Sequence, residues 1–301
     1  MNKQLFILFS LLIFISCEKQ ETANDKIVEP DWVTKSFNFQ HDGLTRSYII
    51  HKPKNFVENS PLLFVLHGYT SSAYNIMNYS GMNMVADTNG FMVCYPLGTT
   101  LPTGQTHWNA NLQMSVVNDI SFLSELAKEI QLKYKTNPKN TFTSGMSNGG
   151  FMSYTLGCQK SDVFKAIASV TGTMSGKDWE TCDPSNKIPV LQISGTNDTV
   201  VPWDGTMSTY GGWGGAPHIL KIMDFWADLN STTQTEKIDF PDIDPSDNST
   251  VSLTKRKGGV NNNEVWLYTV SGGGHEWPGA FGNNDMIASQ EIWKFFKQYL
   301  K

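Results

Sequence analysis

The sequence predicts an α/β fold: a mostly parallel central sheet with helices on both faces and no large cap. Three observations carry that expectation. Six short apolar segments alternate with stretches of helical period, the pattern of buried parallel strands joined by crossover helices. A serine flanked by glycines stands between one such strand and the helix after it. Hydrophobic residues make up 40% of the 301 residues and charged residues 17%. That is enough apolar matter for one sizeable core, and it excludes a disordered, collagen-like or coiled-coil chain.

The elements follow in order. Residues 4–16 are an apolar run behind Lys3, ending Ile15-Ser16-Cys17. The run is short for a membrane span of about 20 residues and reads as a signal peptide over 1–16. The stretch 17–34 is polar and charged and reads as a tether, so the catalytic domain is expected over 35–301. Phe37-Asn38-Phe39 and Arg46–Ile50 alternate around His41-Asp42-Gly43, which predicts a hairpin. The apolar strands are Leu62–Leu66, Phe91–Tyr95, Thr141–Ser144, Ala166–Val170, Val190–Ser194 and Val265–Val270. Helical spacing is clearest over 116–134, where Val116, Ile120, Leu123, Ala127, Ile130 and Tyr134 recur at steps of three and four. Ile219–Leu229 and Ile287–Leu300 are the other helices. Residues 230–262 are polar and read as an excursion at the sheet edge, and no internal repeat is present.

Net charge is −5, and no block of Lys or Arg stands out, which argues against a nucleic-acid partner. Of the four cysteines, Cys94 lies in an apolar strand and reads as a small buried hydrophobe. Cys158 and Cys182 flank one strand region and are the expected disulfide pair. Asp239, Asp242, Asp244 and Asp247 lack the loop spacing of a dedicated calcium site and read as solvated.

The chemistry centres on Gly145-Met146-Ser147-Asn148-Gly149-Gly150. A strand followed by Gly-x-Ser-x-Gly and a helix is a nucleophile elbow, in which the glycines permit the tight turn that lifts the serine hydroxyl above the sheet. Ser147 is therefore the candidate nucleophile. A serine hydroxyl needs a base, and His275, in the glycine-rich loop after strand 265–270, is the late histidine in position to supply one. His218 is expected to cap a helix instead. Asp198 follows strand 190–194, where an acid would orient His275. Asp204 is the alternative acid, and Glu276 is poorly placed. The oxyanion hole needs two aimed amides: Asn148, after the nucleophile, and Tyr69, after the first central strand, with Thr70 the alternative. His67 is expected to brace that loop. Trp108, Trp203 and Trp277 are the candidate aromatic faces for substrate, two of them adjoining the loops of the acid and the base.

These motifs, with Leu66-His67-Gly68, Trp108-Asn109, Asn118–Phe122, Gly195–Pro202, Gly274–Gly279 and Ile292–Phe296, resemble the polyhydroxybutyrate depolymerase/feruloyl esterase group, close to carbohydrate esterase family 1, over roughly 44–300. The resemblance implies an α/β-hydrolase fold and a secreted serine esterase with Ser147, Asp198 and His275 as its triad. It also implies a cysteine pair like Cys158–Cys182. Ester hydrolysis through these three residues requires no cofactor or metal. Asn118 departs from the family, which often has Asp there, and reads as structural. The leader resembles a bacterial lipoprotein signal, which makes Cys17 the lipidated residue and implies export and anchoring at a Gram-negative outer membrane or cell surface; a monomer is expected. The expected partners are an ester-bearing plant polysaccharide first and an aliphatic polyester second. An acyltransferase or a serine peptidase would use the same three residues.

Overall fold

The computed structural model describes residues 33–301. The expected signal peptide, Cys17 and almost all of the expected tether lie outside the described residues. The hairpin is β1 (Thr34–His41) and β2 (Leu44–His51), so the first strand takes in the last residue assigned to the tether. Then come β3 (Leu62–Leu66), α1 (Ala73–Ser80), α2 (Met82–Asn89), β4 (Met92–Pro96) and the short strands β5 (Thr99–Thr100) and β6 (Thr106–His107). They are followed by α3 (Asp119–Tyr134), β7 (Thr141–Met146), α4 (Asn148–Gln159), β8 (Ile167–Val170), α5 (Gly176–Thr181), β9 (Val190–Gly195) and α6 (Ile219–Leu229). The last elements are β10 (Gln234–Asp239), β11 (Thr250–Lys257), β12 (Val265–Ser271) and α7 (Ala288–Phe296).

Ten strands form one sheet in the order β1-β2-β4-β3-β7-β8-β9-β12-β11-β10. The six from β4 to β12 run parallel, and an antiparallel pair closes each edge. Side chains alternate across the pleat, so β3 sends Leu63 and Val65 to one face and Leu62, Phe64 and Leu66 to the other. Both sets are buried, which is why the strand is apolar at every position. Ile292, Phe295 and Phe296 of α7 cover the first face, while α3 and α4 cover the second with Phe122, Leu126, Phe151 and Met152. A buried side chain of this size contributes roughly 1.5–3 kcal/mol. Cys94 is buried and unpaired, and Cys158 and Cys182 form a disulfide.

Some boundaries differ from the sequence expectation. The third helix begins at Asp119, not 116, because the Asn118 side chain caps it by accepting from Ser121 N. Val116 lies outside it and is exposed. The last helix starts one residue late, with Ile287 as its N-cap, and ends in a 3₁₀ turn at Lys297–Tyr299. The excursion 230–262 is at the sheet edge as expected, yet it holds two strands. β10 is exposed along its length, so it shows no apolar alternation to read. Among the described residues, no helix is long and apolar enough to cross a membrane.

Candidate active site

Ser147 joins β7 to α4 at φ 54° and ψ −122°, a conformation that costs about 1–3 kcal/mol for a residue with a side chain. The turn is tight for the reason read from the motif. A Cβ on Gly145 would meet Gly149 O at 2.3 Å, and one on Gly149 would meet Leu66 O at 2.3 Å. The strained turn is pinned by Ser147 N donating to Val170 O (2.9 Å). The hydroxyl therefore stands at the N-terminus of α4, where helix dipole and unpaired N–H groups favour negative charge.

Asp198 lies beyond β9, and its carboxylate is used in full. Oδ1 accepts from Val200 N and Val201 N, both at 2.8 Å, and Oδ2 pairs with His275 Nδ1 at 2.8 Å. The His275 loop is tied to the Asp198 loop by Gly272 N donating to Thr196 Oγ1 and Asn197 N donating to Gly273 O, each at 2.9 Å. Asp198 is buried and the His275 side chain is 20% exposed. Asp204, the alternative acid, is exposed and spends Oδ1 on Thr206 N and Thr206 Oγ1. Those bonds hold its carboxyl below the usual range. His218 caps α6 by accepting from Leu220 N.

Ser147 and His275 line one cleft of about 670 Å³ with Tyr69, Val200, Met207 and Trp213. A larger cavity of about 990 Å³ lies between α2 and α7, but none of Ser147, Asp198 and His275 lines it. Gly68 packs against Ser147, which brings the loop of Tyr69 beside its hydroxyl. The Thr70 amide donates to Thr106 O (2.9 Å), so of the two expected donors in this loop only Tyr69 is left to serve. His67 braces the loop: Nδ1 donates to Gly68 O (2.7 Å) and Nε2 accepts from Gly98 N (2.9 Å). Burial pushes its pKa down to about 4, so it is a neutral support.

The tryptophans are where the structure departs from expectation. Trp108 is fully buried, with its indole N–H donating to His67 O, and has no face to offer a substrate. Trp277 is buried in the core and donates to Ser289 Oγ, although it follows His275 by two residues. Trp203 is half-buried against His218 and is not part of the cleft wall. The cleft takes Trp213 instead, edge-on to Tyr69 with ring centroids 5.4 Å apart. Its signal in the sequence is an aromatic set between glycine pairs, Gly211-Gly212-Trp213-Gly214-Gly215. The acidic loop is spoken for locally: Asp244 and Asp247 accept from Ser246, Ser249 and Asn284.

The arrangement has the parts of acyl transfer through a serine: a lifted hydroxyl, an imidazole oriented by a buried carboxylate, and amides at a helix start. Residues 46–220 match the family described as esterase PHB depolymerase. Feruloyl esterase B of Piromyces equi is 31% identical over 263 residues, covering 84% of this chain and 45% of that protein. The bifunctional acetylxylan esterase/xylanase XynS20E of Neocallimastix patriciarum is 26% identical over 174 residues, covering 57% and 24%. The chain thus spans less than half the length of these two relatives. Among solved structures, the acetyl xylan esterase of Aspergillus awamori aligns with a TM-score of 0.62 at 13% identity, covering 87% of this chain and 99% of that one. That likeness shows the fold, that of the α/β-hydrolases.

Proposed function

The chain belongs to the esterase PHB depolymerase family, and from that premise we propose that it is a serine carboxylesterase acting on esters of plant polysaccharide. The observation that carries the reading is the 2.8 Å bond from His275 Nδ1 to Asp198 in a cleft shared with Ser147. With Nδ1 committed to the carboxylate, Nε2 is the ring nitrogen free to take the serine proton. Ser147 Oγ attacks the ester carbonyl as that proton moves to His275. The oxyanion is held by the N–H groups of Asn148 and Tyr69, worth on the order of 10²–10³ in turnover for each donor. The alcohol leaves with the proton from His275, and water repeats the sequence to release the acid. No step calls for a metal or cofactor.

Tyr69 and Trp213 supply the aromatic wall, and the names of the relatives support feruloyl or acetyl groups on xylan as the acyl part. Trp213→Ala is expected to raise KM for methyl ferulate by about 10-fold while changing release of acetate from acetylated xylan much less, since an aryl ring gains most from aromatic packing. Equal effects on both substrates would remove Trp213 from acyl recognition. The family description favours aliphatic polyester as the second reading. Hydrolysis of polyhydroxybutyrate with neither xylan-type ester cleaved would establish it in place of the first.

Export belongs to the same proposal. It is supported by the leader over 1–16 and by the Cys158–Cys182 disulfide, a bond that persists in oxidising compartments. A lipid on Cys17 would hold the enzyme at the membrane. Cys17→Ser is expected to move it from the membrane fraction to the soluble one; a variant still found with the membranes would rule out that anchor.

A further inference from the structure

Trp108 is outside the cleft wall, yet it is bonded to both loops that carry the oxyanion amides. Its main chain pairs twice with the Asn148 side chain: Trp108 N donates to Asn148 Oδ1 at 2.7 Å, and Asn148 Nδ2 donates to Trp108 O at 3.0 Å. Its indole Nε1 donates to His67 O at 3.0 Å, two residues before Tyr69. Trp108, Asn148 and His67 are all fully buried, so water does not compete for these bonds. The next residue is anchored as well: Asn109 N donates to Asp119 Oδ2 (2.8 Å), and Arg46 holds the other oxygen of that carboxylate at 2.7 Å. The glycines explain the backbone of the elbow, but nothing in that turn requires a carboxamide at 148. A pair of hydrogen bonds to a buried main chain does.

We propose that Trp108 and the Asn148 carboxamide form one positioning clamp that sets the separation of the two oxyanion amides. The proposal rests on the catalytic reading above. Asn148 offers its own N–H as the first residue of α4, where a helix leaves its donors unpaired. Tyr69 offers the other from a loop that belongs to a different element. Two donors on separate elements stabilise an oxyanion only if their spacing is held, and a shift of about 1 Å can cost on the order of 10²-fold in rate. Trp108 reaches both elements through three hydrogen bonds, and Asp119 with Arg46 anchors the strand end from which it does so. Trp108 and Asn148 are positioning residues: through their side chains they touch neither substrate nor the reacting atoms.

The test compares Trp108→Phe and Asn148→Ala with the full-length wild type on p-nitrophenyl acetate, together with binding of a boronic acid that becomes a tetrahedral anion on Ser147. Trp108→Phe keeps an aromatic ring and both main-chain bonds, and loses the indole N–H together with the pyrrole half of the ring system. A fall in kcat of about 10-fold is expected, with KM within about 2-fold and boronate affinity reduced by the same factor as kcat. Asn148→Ala leaves two buried main-chain groups unpaired and is expected to lose about 100-fold. If Asn148→Ala does not fold, Trp108→Phe decides alone. Wild-type kcat and boronate affinity in Trp108→Phe, with only the melting temperature lowered, would overturn the clamp and leave a packing role. A wild type that neither hydrolyses the ester nor takes a fluorophosphonate on Ser147 would overturn the catalytic reading and the clamp with it.

Discussion

Ser147→Ala is expected to abolish ester hydrolysis, with kcat on p-nitrophenyl acetate falling by at least about 10⁴-fold while the fold stays intact. In the proposed mechanism the hydroxyl oxygen is the atom that bonds to the acyl group. Thr70 also lines the cleft, but its backbone sits at φ 63° and its hydroxyl donates to Tyr69 O at 2.6 Å. Alanine occupies the strained elbow as serine does, so circular dichroism and the melting transition should stay close to wild type. A fluorophosphonate probe should label the wild type and not the variant. Turnover within about 100-fold of wild type would remove Ser147 from the role, because a triad without its nucleophile keeps only the residual rate of binding and oxyanion stabilisation.

Asp198→Asn is expected to lower kcat by about 10³–10⁴-fold with little change in KM. The cause lies in the hydrogen bonds around the carboxylate. Oδ1 accepts from two main-chain donors, Val200 N and Val201 N, so the carbonyl oxygen of an asparagine must face them. Its NH₂ then faces His275 Nδ1, where Oδ2 had been. A donor there forces the ring to carry its proton on Nε2, the nitrogen that must accept the serine proton. Asp204→Asn is the matched control, since Asp204 serves a surface turn with Thr206, and it should retain wild-type turnover. Loss of activity in Asp204→Asn with retention in Asp198→Asn would exchange the two acids.

Much of this site was legible in the chain because its constraints are local. The elbow is a contact between residues four apart: a Cβ on Gly145 strikes Gly149 O, so the motif writes the turn into the sequence. The acid and the base each follow a strand of the parallel sheet, whose carboxyl ends point to one edge, so chain order was enough to nominate Asp198 and His275. The α3 cap at Asn118 is equally local, although the helical spacing in the sequence begins at 116. What the chain did not reveal were choices made by contacts far apart in sequence. β10 is a strand because Gln234–Asp239 pairs with Ser252–Lys257 of β11, not because of any pattern of its own. The Thr70 amide is not available to the proposed oxyanion hole because Thr106, 36 positions on, accepts from it.

The tryptophans draw the line most clearly. By itself the sequence determined an α/β sheet, a serine on a strained elbow, and an acid and a histidine on later loops in workable order. Each is set by period, by glycine placement or by the end of a strand, all within a few residues of the chain. Only the tertiary structure decided which aromatic rings line the cleft. Trp108 and Trp277 sit close to the chemistry in sequence or in space, yet each spends its indole N–H on a partner in the interior, while Trp213 reaches the cleft from a glycine-rich loop. The direction of a large side chain is set by where its ring area and its one donor are best satisfied, and that depends on elements brought together only when the whole sheet has formed.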